Sequence, residues 1–287
     1  MLDPRLLRAF VAIADAGSFT AAADRLHMTQ STMSQQIARL EEAIGRPLVD
    51  RAARPVRLTV TGERLLGHAR RILALQTEVL TLVAETSGTT SVRIGMPDDI
   101  ATPEMARAFA AFTKRHKQAR LDVTTGLRAD LTRRYRSGEL DIVVMKEDVP
   151  SSDSWASFEE PIAWFTAMDA PADLSDPAPL VTFPPGGLYR DAMFDRLERE
   201  RRRWYIAFTS ASLRNVLMAI EAGLGLSLLP VDAAKGWRIK QVADFAPEPP
   251  VVASLYSWER GGIVGELANE VLDILKRHFS RERDHAL

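Results

Sequence analysis

Residues 18–51 of this chain read SFTAAADRLHMTQSTMSQQIARLEEAIGRPLVDR, and this stretch decides the fold of the amino-terminal part. Ser18 is a good N-cap for a short helix over residues 19–26, and Thr29 can cap a longer helix over residues 30–44. Three consecutive alanines keep the side chains of the short helix small where two helices cross closely. The stretch therefore predicts two helices in close contact.

Glycines mark the ends of the neighbouring helices. Apolar residues within 4–16 recur at helical spacing, and Gly17 stops that helix. Gly45 ends the longer helix after residue 44 in the same way. The amino-terminal part is therefore predicted to hold three short helices joined by brief turns.

The longer helix carries a polar face that determines how the three-helix unit is interpreted. Glutamine can make paired hydrogen bonds to adenine, serine and threonine are adaptable donors and acceptors, and arginine reaches phosphates. On an isolated helix, the commoner interpretation of such a face is the solvated surface of an ordinary bundle. The basic wing that follows makes residues 18–37 a candidate helix-turn-helix that reads the major groove. Its candidate DNA-binding residues are Ser18, Thr29, Gln30, Ser31, Thr32, Ser34, Gln35 and Arg39.

A basic two-stranded wing is predicted directly after the helices. Residues 47–51 and 56–59 are typical of short strands around a polar turn. Seven arginines against two acidic residues lie between Arg46 and Arg71, although the net charge of the whole chain is −1. This local excess of positive charge favours contact with a phosphate backbone. The candidate phosphate-binding residues are Arg51, Arg54 and Arg57.

A long helix is predicted from its cap at Thr59 to about Ala84. Leu66, Leu73 and Leu80 recur in it every seven residues, so one apolar seam runs along the helix; it also includes Leu65, Ile72, Val79 and Val83. Burial against a second copy of the chain covers such a seam economically, which predicts a homodimer. The alternative is that the seam packs against the carboxy-terminal domain of its own chain.

The pattern changes after a polar, glycine-containing linker at residues 86–91. From there strands and helices alternate in βαβαβ order, which predicts an α/β domain with a mostly parallel sheet. A second unit follows, and the chain then returns to the first. The predicted strands lie near 92–95, 120–124, 141–145, 163–167, 180–183, 205–208 and 251–258. The fold class is therefore α/β, with a winged helix-turn-helix and a long linker helix in front of it.

Loops at the carboxyl ends of these strands are the candidate ligand site. Ligands of open α/β sheets settle there because backbone amides and helix amino termini point into the crevice. Serine and threonine in such loops are equally suited to cap a helix. The candidate effector-binding residues are Pro97, Asp98, Asp99, Thr125, Arg128, Lys146, Thr209 and Ser210.

Asp98 and Asp99 limit the choice of ligand, because two acids repel a carboxylate. The favoured interpretation is that they cap the helix that begins near Pro103. Three alternatives stay open: a cationic effector, a hydroxyl-rich effector, or neutralisation of the acids by Arg128 or Lys146. The sequence does not identify the effector.

Composition argues against several classes of function. The chain of 287 residues has no cysteine and five scattered histidines, which disfavours cysteine catalysis and metal sites. No nucleophile elbow, phosphate loop or clustered histidine pair is present, so we expect neither an enzyme nor a cofactor. No run approaches the roughly 18 to 20 apolar residues of a membrane span, and the start lacks signal-peptide features. These features predict a cytoplasmic protein that does not contact membranes.

The stretch at 18–51, with RLTVTGERLL at 57–66, resembles the DNA-binding domain of the LysR family of bacterial transcriptional regulators. The second half resembles the same family more loosely through VRIGMP, SGELDIVVM and AIEAGLGLSLLP. Two phrases, PDD at 97–99 and PPGGLYRDAMF at 184–194, are most similar to the motility and virulence regulators of the LrhA and HexA type. The resemblance implies a periplasmic-binding-protein-like effector domain with a ligand cleft between two lobes.

The resemblance also implies the partners and the function. The partners are double-stranded operator DNA, a small-molecule effector, RNA polymerase, and further copies of the chain in dimers and tetramers. The predicted function is sequence-specific regulation of transcription in which the effector modulates operator binding. The alternative is a LysR-type regulator with a vestigial cleft that acts without an effector. The predicted domains are a winged helix-turn-helix at 1–60, a linker and dimerisation helix at 61–86, and an effector-binding domain at 87–287, with lobe I at about 91–161 and 250–287 and lobe II at about 162–249.

Overall fold

The computed structural model describes residues 3–84, 90–171 and 175–283. They form two compact units. The first comprises the described residues up to Thr90 together with Arg133–Leu140, and the second comprises Ser91–Thr132 and the described residues from Asp141 onwards. The domain boundaries of the sequence analysis stay predictions. Within these ranges no helix is both long and apolar enough to cross a membrane.

Three capped helices open the first unit. They are α1 (Pro4–Ala16), α2 (Phe19–Arg25) and α3 (Gln30–Ile44). The hydroxyls of Ser18 and Thr29 each accept the backbone N–H three residues further on, as predicted. Gly17 and Gly45 end α1 and α3 with φ angles of 60° and 73°, a conformation that glycine adopts without steric cost. The three-helix unit is confirmed, with α2 one residue shorter because Leu26 ends it.

A two-stranded wing and a long helix follow. Strand β1 (Val49–Asp50) pairs antiparallel with β2 (Arg57–Leu58), and α4 spans Val60–Ala84. A side chain at Gly62 would place its Cβ 2.1 Å from the carbonyl oxygen of Leu48, so only glycine lets α4 begin this close to the wing. The predicted wing and long helix are confirmed, and the wing strands are only two residues long.

The start of α4 packs against the core of the first unit. Leu66 and Leu73 contact this core, whose fully buried members include Leu7, Phe10 and Met33. The prediction that these two leucines lie on a seam without a partner in their own chain is therefore wrong. The third leucine of that seam, Leu80, has its side chain outside the described residues.

The rest of the chain alternates strands and helices. In chain order the elements are β3 (Thr90–Met96), α5 (Pro103–Arg115), β4 (Ala119–Thr125), α6 (Arg128–Arg136), β5 (Ile142–Glu147), β6 (Ala156–Glu160), β7 (Ile162–Ala167), β8 (Ala178–Thr182), α7 (Leu188–Arg199), β9 (Trp204–Thr209), α8 (Leu213–Glu221), β10 (Ser227–Pro230), a short 3₁₀ helix (Asp232–Ala234), β11 (Ile239–Gln241), β12 (Val251–Ser257) and α9 (Gly262–Arg283). Every predicted strand is present within a few residues of its expected ends. The short strands β6, β10 and β11 were not predicted.

The strands belong to separate sheets, which define two lobes. We call the sheet β4-β3-β5-β12-β6 with helices α5 and α9 lobe I, and strands β7 to β11 with helices α7 and α8 lobe II. In lobe I, β3 and β5 are parallel, but β12 is antiparallel to both β5 and β6. Strands β3, β5 and β6 therefore run in one direction, as the prediction of a mostly parallel sheet requires, and β12 runs against them. The sheet is mixed because the chain returns from lobe II in the opposite direction.

Each lobe has its own apolar core. In lobe I, Ile94, Val144 and Leu255 of the sheet pack with residues of α5 and α9. In lobe II, the segment AIEAGLGLSLLP joins α8 to β10. Sterics require a glycine at position 225 of this segment. A Cβ at Gly225 would lie 2.4 Å from the carbonyl oxygen of Pro179, and its φ of 158° also favours glycine. The chain crosses from lobe I to lobe II directly after β6.

Candidate nucleic-acid interface and ligand pocket

Helix α3 presents a polar face to solvent. Its apolar stripe is buried in the core of the first unit. The opposite side exposes Gln30, Ser31, Thr32, Gln35 and Arg39, while Ser34 is half-buried. Among the described residues, the side chains of Gln30, Gln35 and Arg39 have no hydrogen-bond partner. Their donors and acceptors are therefore free to bind an external molecule.

The predicted residues Ser18 and Thr29 are engaged in their own helix starts. The Thr29 hydroxyl accepts the N–H of Thr32 at 3.1 Å and lies 2.8 Å from the hydroxyl oxygens of both Ser31 and Thr32. The Ser18 hydroxyl accepts an N–H of α2 at 3.4 Å. These hydroxyls fix the helices that carry the polar face.

The three predicted wing arginines are exposed and differ in their partners. Arg51 pairs with Glu41 of α3 at 3.0 Å and lies 5.5 Å from the centre of the Phe19 ring. Arg54 donates to two carbonyl oxygens of its own turn. Arg57 makes no ion pair within the described part of the chain. An approaching phosphate therefore competes with Glu41 for Arg51, but not for Arg57.

Glu41 connects α3 to the wing, and the sequence analysis missed it. One of its carboxylate oxygens accepts the backbone N–H groups of Leu48 and Val49 at 2.9 and 3.3 Å, and the other pairs with Arg51. Nothing in the sequence around Glu41 distinguishes it from the neighbouring Glu42. Its carboxylate fixes the start of the wing relative to the polar face.

A cavity of about 310 Å³ lies in the second unit, where β3, β4 and β5 end. Six of the eight predicted effector-binding residues line it: Pro97, Asp98, Asp99, Thr125, Arg128 and Lys146. Thr209 and Ser210 do not, and Ala211, Ser212 and Leu213 lie at the wall instead. The reason is local, because the Ser210 hydroxyl turns back to accept the N–H of Ser212 at 3.2 Å.

Lobe II supplies a part of the wall that the sequence analysis did not assign. These residues are Phe183, Gly187, Leu188 and Tyr189, which follow β8 and begin α7. The signal was available, because β8 is parallel to β9 and its carboxyl end obeys the same rule as the other strand ends. The cavity thus lies between lobes I and II of the second unit.

The prediction that Asp98 and Asp99 cap a helix is wrong. Thr102 caps α5, and its hydroxyl accepts the N–H of Met105 at 3.3 Å. The Asp99 carboxylate pairs instead with the ammonium group of Lys146, one of the neutralising partners left open. Asp98 is exposed, and its carboxylate accepts a hydrogen bond from the Ser212 hydroxyl at 3.4 Å.

Lys146 lines the cavity and is shared by two carboxylates, of which only Asp99 also lines it. Its Nζ pairs with Asp99 and lies 2.7 Å from Oε2 of Glu160. The Tyr189 hydroxyl donates to the same Glu160 oxygen at 3.4 Å. The side chains of Lys146, Asp99 and Glu160 are only 5%, 15% and 4% exposed. We call Asp99, Lys146, Glu160 and Tyr189 the buried ionic cluster.

Burial governs where the cluster holds its protons. Burial raises the pKa of Glu160, although the Lys146 ammonium group opposes this. Burial lowers the pKa of Lys146, but the carboxylates of Asp99 and Glu160 outweigh it and leave that pKa well above its usual value. Burial also raises the pKa of Tyr189. Lys146 and Tyr189 therefore stay protonated near neutral pH, and Glu160 holds a proton more tightly than a solvated glutamate does.

The second cation of the wall, Arg128, is also paired. Its guanidinium donates to the carboxylate of Asp148 at 3.1 Å, and both side chains are exposed. Arg128 therefore does not neutralise Asp98 or Asp99. Across the described ranges, no group of three or more acidic, histidine or cysteine side chains is placed to hold a metal ion.

A winged helix-turn-helix with an open polar face, together with a two-lobed α/β unit around a cavity, defines a DNA-binding regulator with a ligand-binding domain. The chain belongs to the LysR family of bacterial transcriptional regulators. Residues 4–63 match the bacterial regulatory helix-turn-helix protein, lysR family, and residues 85–280 match the LysR substrate binding domain.

Relatives and solved structures agree with this family. The transcriptional regulator DgdR of Burkholderia cepacia is 31% identical over 228 residues, which cover 79% of this chain and 78% of DgdR. The full-length LysR-type regulator LysG of Corynebacterium glutamicum, with the effector arginine bound, is 23% identical with a TM-score of 0.57, covering 95% of this chain and 97% of LysG. ArgP of Mycobacterium tuberculosis is 24% identical with a TM-score of 0.54, covering 94% of this chain and 96% of ArgP. At these identities the two structures establish the shared fold.

Proposed function

We propose that this chain is a sequence-specific operator-binding regulator that responds to a small molecule held between lobes I and II. The observation that carries the proposal is that one chain has both the open polar face of α3 and a cavity of about 310 Å³ bounded by two lobes. The alternative is a regulator with a vestigial cleft. It is disfavoured because side chains do not fill the cavity.

Operator reading is assigned to α3 and the wing. Gln30 and Gln35 present free amide groups that suit adenine edges in the major groove, with Ser31 and Thr32 beside them. Arg57 and Arg54 suit the phosphate backbone, and Arg51 joins them when a phosphate displaces Glu41. Ser18 and Thr29 act by holding the helices in place.

Dimerisation is assigned to an exposed face of α4 that includes Ile72 and Val79 of the predicted seam but not its heptad leucines. Ile72, Leu75 and Val79 are 39%, 38% and 59% exposed, and their spacing puts them on one stripe of the helix. An apolar stripe of this kind is stabilised by burial against its counterpart in a second copy. The proposed assembly is a homodimer, with tetramers formed from it.

The remaining partners and the cellular setting follow from operator binding. The regulator acts in the cytoplasm, where operator DNA and RNA polymerase lie. Its relative DgdR is named a transcriptional regulator, and we assign no catalytic step to this chain.

The test begins with DNA recovered from cells by pull-down with the full-length chain, which identifies an operator. Metabolites that raise the thermal unfolding temperature of the protein are then added to operator titrations. We expect at least one to change operator affinity by roughly 5- to 150-fold, the usual range of allosteric coupling. If every ligand of the cavity leaves operator affinity and bending unchanged, the vestigial-cleft alternative is correct.

A further inference from the structure

Two acids and two cations line the cavity, and the carboxylates that pair with these cations from behind the wall make the surroundings negative in sum. Both cations are already held by carboxylates: Arg128 by Asp148 at 3.1 Å, and Lys146 within the buried ionic cluster. Asp98 has no cation within ion-pair distance among the described residues. An entering ligand therefore meets the exposed carboxylate of Asp98, which has no cation as its partner. Both cations that it meets already have carboxylate partners.

The buried ionic cluster adds to this imbalance. Asp99 and Glu160 share the single ammonium group of Lys146, so one negative charge is in excess when all three groups are ionised. Excess charge at a buried site is costly unless a proton or a cation compensates it. Tyr189 contributes only a neutral hydroxyl. His278 of α9 also feels the cluster, but its pKa is lowered by burial and by Lys146, so it stays neutral near pH 7.

We propose that the molecule bound in this cavity carries a protonated amine, whose charge is matched by Asp98 and by the excess carboxylate of the buried ionic cluster. The proposal rests on the proposed function and names the ligand class of the same site. The rest of the wall favours an apolar body on the amine, because Leu127, Phe183, Leu188 and Leu213 line it. A volume of about 310 Å³ lies at the small end of ligand pockets and suits a small molecule.

Two helix amino termini at the wall define what else the ligand can carry. Helices α7 and α8 begin there, and neither has a side-chain cap at its N-cap residue, Gly187 or Ser212. Each helix amino terminus carries a partial positive charge, and its free backbone N–H groups favour a hydrogen-bond acceptor on the ligand. A zwitterion with an amine and an apolar body therefore also belongs to the class. A simple anion does not, because these partial charges lie beside full carboxylate charges.

The first test compares ligands that share a body and differ in charge. Phenethylamine, phenethyl alcohol and 3-phenylpropionate are titrated into the full-length protein by calorimetry, and so are 3-methylbutylamine and its alcohol and acid counterparts. In at least one series the amine should bind about tenfold more tightly than the alcohol or the acid, which corresponds to about 1.4 kcal/mol. Equal or tighter binding of the acid or the alcohol in both series overturns the proposal. The same holds if no compound binds at millimolar concentration.

Two variants test which carboxylates match the charge. Asp98→Asn keeps the shape of an exposed side chain and should remove most of the amine preference. Glu160→Gln keeps an acceptor for Tyr189 while removing the excess charge, and should also reduce the preference. Asp153→Asn changes an exposed acid that does not line the cavity and should bind the amine like the unmodified protein. An unchanged amine preference in Asp98→Asn overturns the assignment, since this exposed substitution cannot act through unfolding.

Proton linkage gives a second readout that does not depend on DNA. A bound cation lowers the raised pKa of Glu160, so amine binding should release protons, and affinity should rise as the pH rises through that pKa. Calorimetry in buffers of different ionisation enthalpy measures the number of protons released, and proton uptake contradicts the proposal.

The ligand class and the proposed function can fail separately. If the amine binds selectively but operator affinity is unchanged, the ligand class stands and the proposed function fails. If an anion binds in the cavity and changes operator affinity, the proposed function stands and the proposed ligand class fails.

Discussion

Glu160 lies where the chain passes from lobe I to lobe II. It is the last residue of β6, and its carboxylate accepts hydrogen bonds from Lys146 of lobe I and from Tyr189 of lobe II. One buried side chain therefore connects both lobes through Lys146 and Tyr189, which line the cavity. A molecule that changes the charge of Glu160 acts on the contact between the lobes.

The titration of Glu160 predicts a pH dependence of stability. Burial raises its pKa in the folded protein above that in the unfolded chain, so the folded state holds this proton more tightly. This contribution to stability is complete below the unfolded pKa and is lost as the pH rises through the higher folded pKa. Urea unfolding across this window should show a smaller loss of unfolding free energy with pH in Glu160→Gln. Glu159→Gln, at the exposed neighbour, is the control and should lose unfolding free energy with pH as steeply as the unmodified protein. Equal slopes in all three proteins would show that Glu160 does not titrate there.

Gln30 and Arg57 should affect DNA binding in different ways. Gln30→Ala removes a base-reading amide, and should relax preference at one position of each half-site by about 1 to 3 kcal/mol. Arg57→Ala removes a phosphate contact and should weaken binding to all sequences. The slope of log affinity against log salt concentration should become shallower by about one. Operator titrations with point-mutated sites at several salt concentrations measure both effects. Uniform weakening by Gln30→Ala would exclude α3 as the reading helix.

At the scale of elements, α4 has two apolar faces with different tasks. Leu73 packs against the core of its own unit, so Leu73→Asp should lower the unfolding free energy. Val79 is 59% exposed, so Val79→Asp should dissociate the dimer and leave the fold intact. The conservative variant Val79→Leu should remain dimeric. Sedimentation velocity combined with thermal unfolding separates the two outcomes. A dimeric Val79→Asp protein that binds DNA would place the interface elsewhere.

The elements that the sequence predicts best are those with local signals at their ends. Helices α1 and α3 begin and end where caps and glycines indicate, and α4 begins at its predicted cap, because capping needs only neighbouring residues. The direction of β12 has no such signal, since it is set by the return of the chain from lobe II. The polar face of α3 and six pocket residues follow from periodicity and strand ends.

The buried ionic cluster shows what local patterns leave out. Glu160 ends the short strand β6, which was not predicted, and it meets Lys146 only through the pairing of both strands with β12. The expected capping role of Asp99 failed for the same reason, because a tertiary partner outweighs a local one. Leu73 likewise has heptad spacing, yet it packs against the core of its own unit.

At the scale of the whole molecule, operator binding and ligand binding must influence each other equally. If the amine changes operator affinity by some factor, the operator changes amine affinity by the same factor, because both measure one coupling free energy. Anisotropy titrations of labelled operator with and without saturating amine give the first factor, and calorimetry of the amine with free protein and with the protein–operator complex gives the second. We expect equal factors, in the range of roughly 5 to 150. Asp98→Asn should lower both together, because it removes the ligand's charge partner, while Asp153→Asn should leave both unchanged. Factors that differ beyond error would show that the amine binds at more than one site, and equal factors that Asp98→Asn leaves unchanged would place the coupled site outside the cavity.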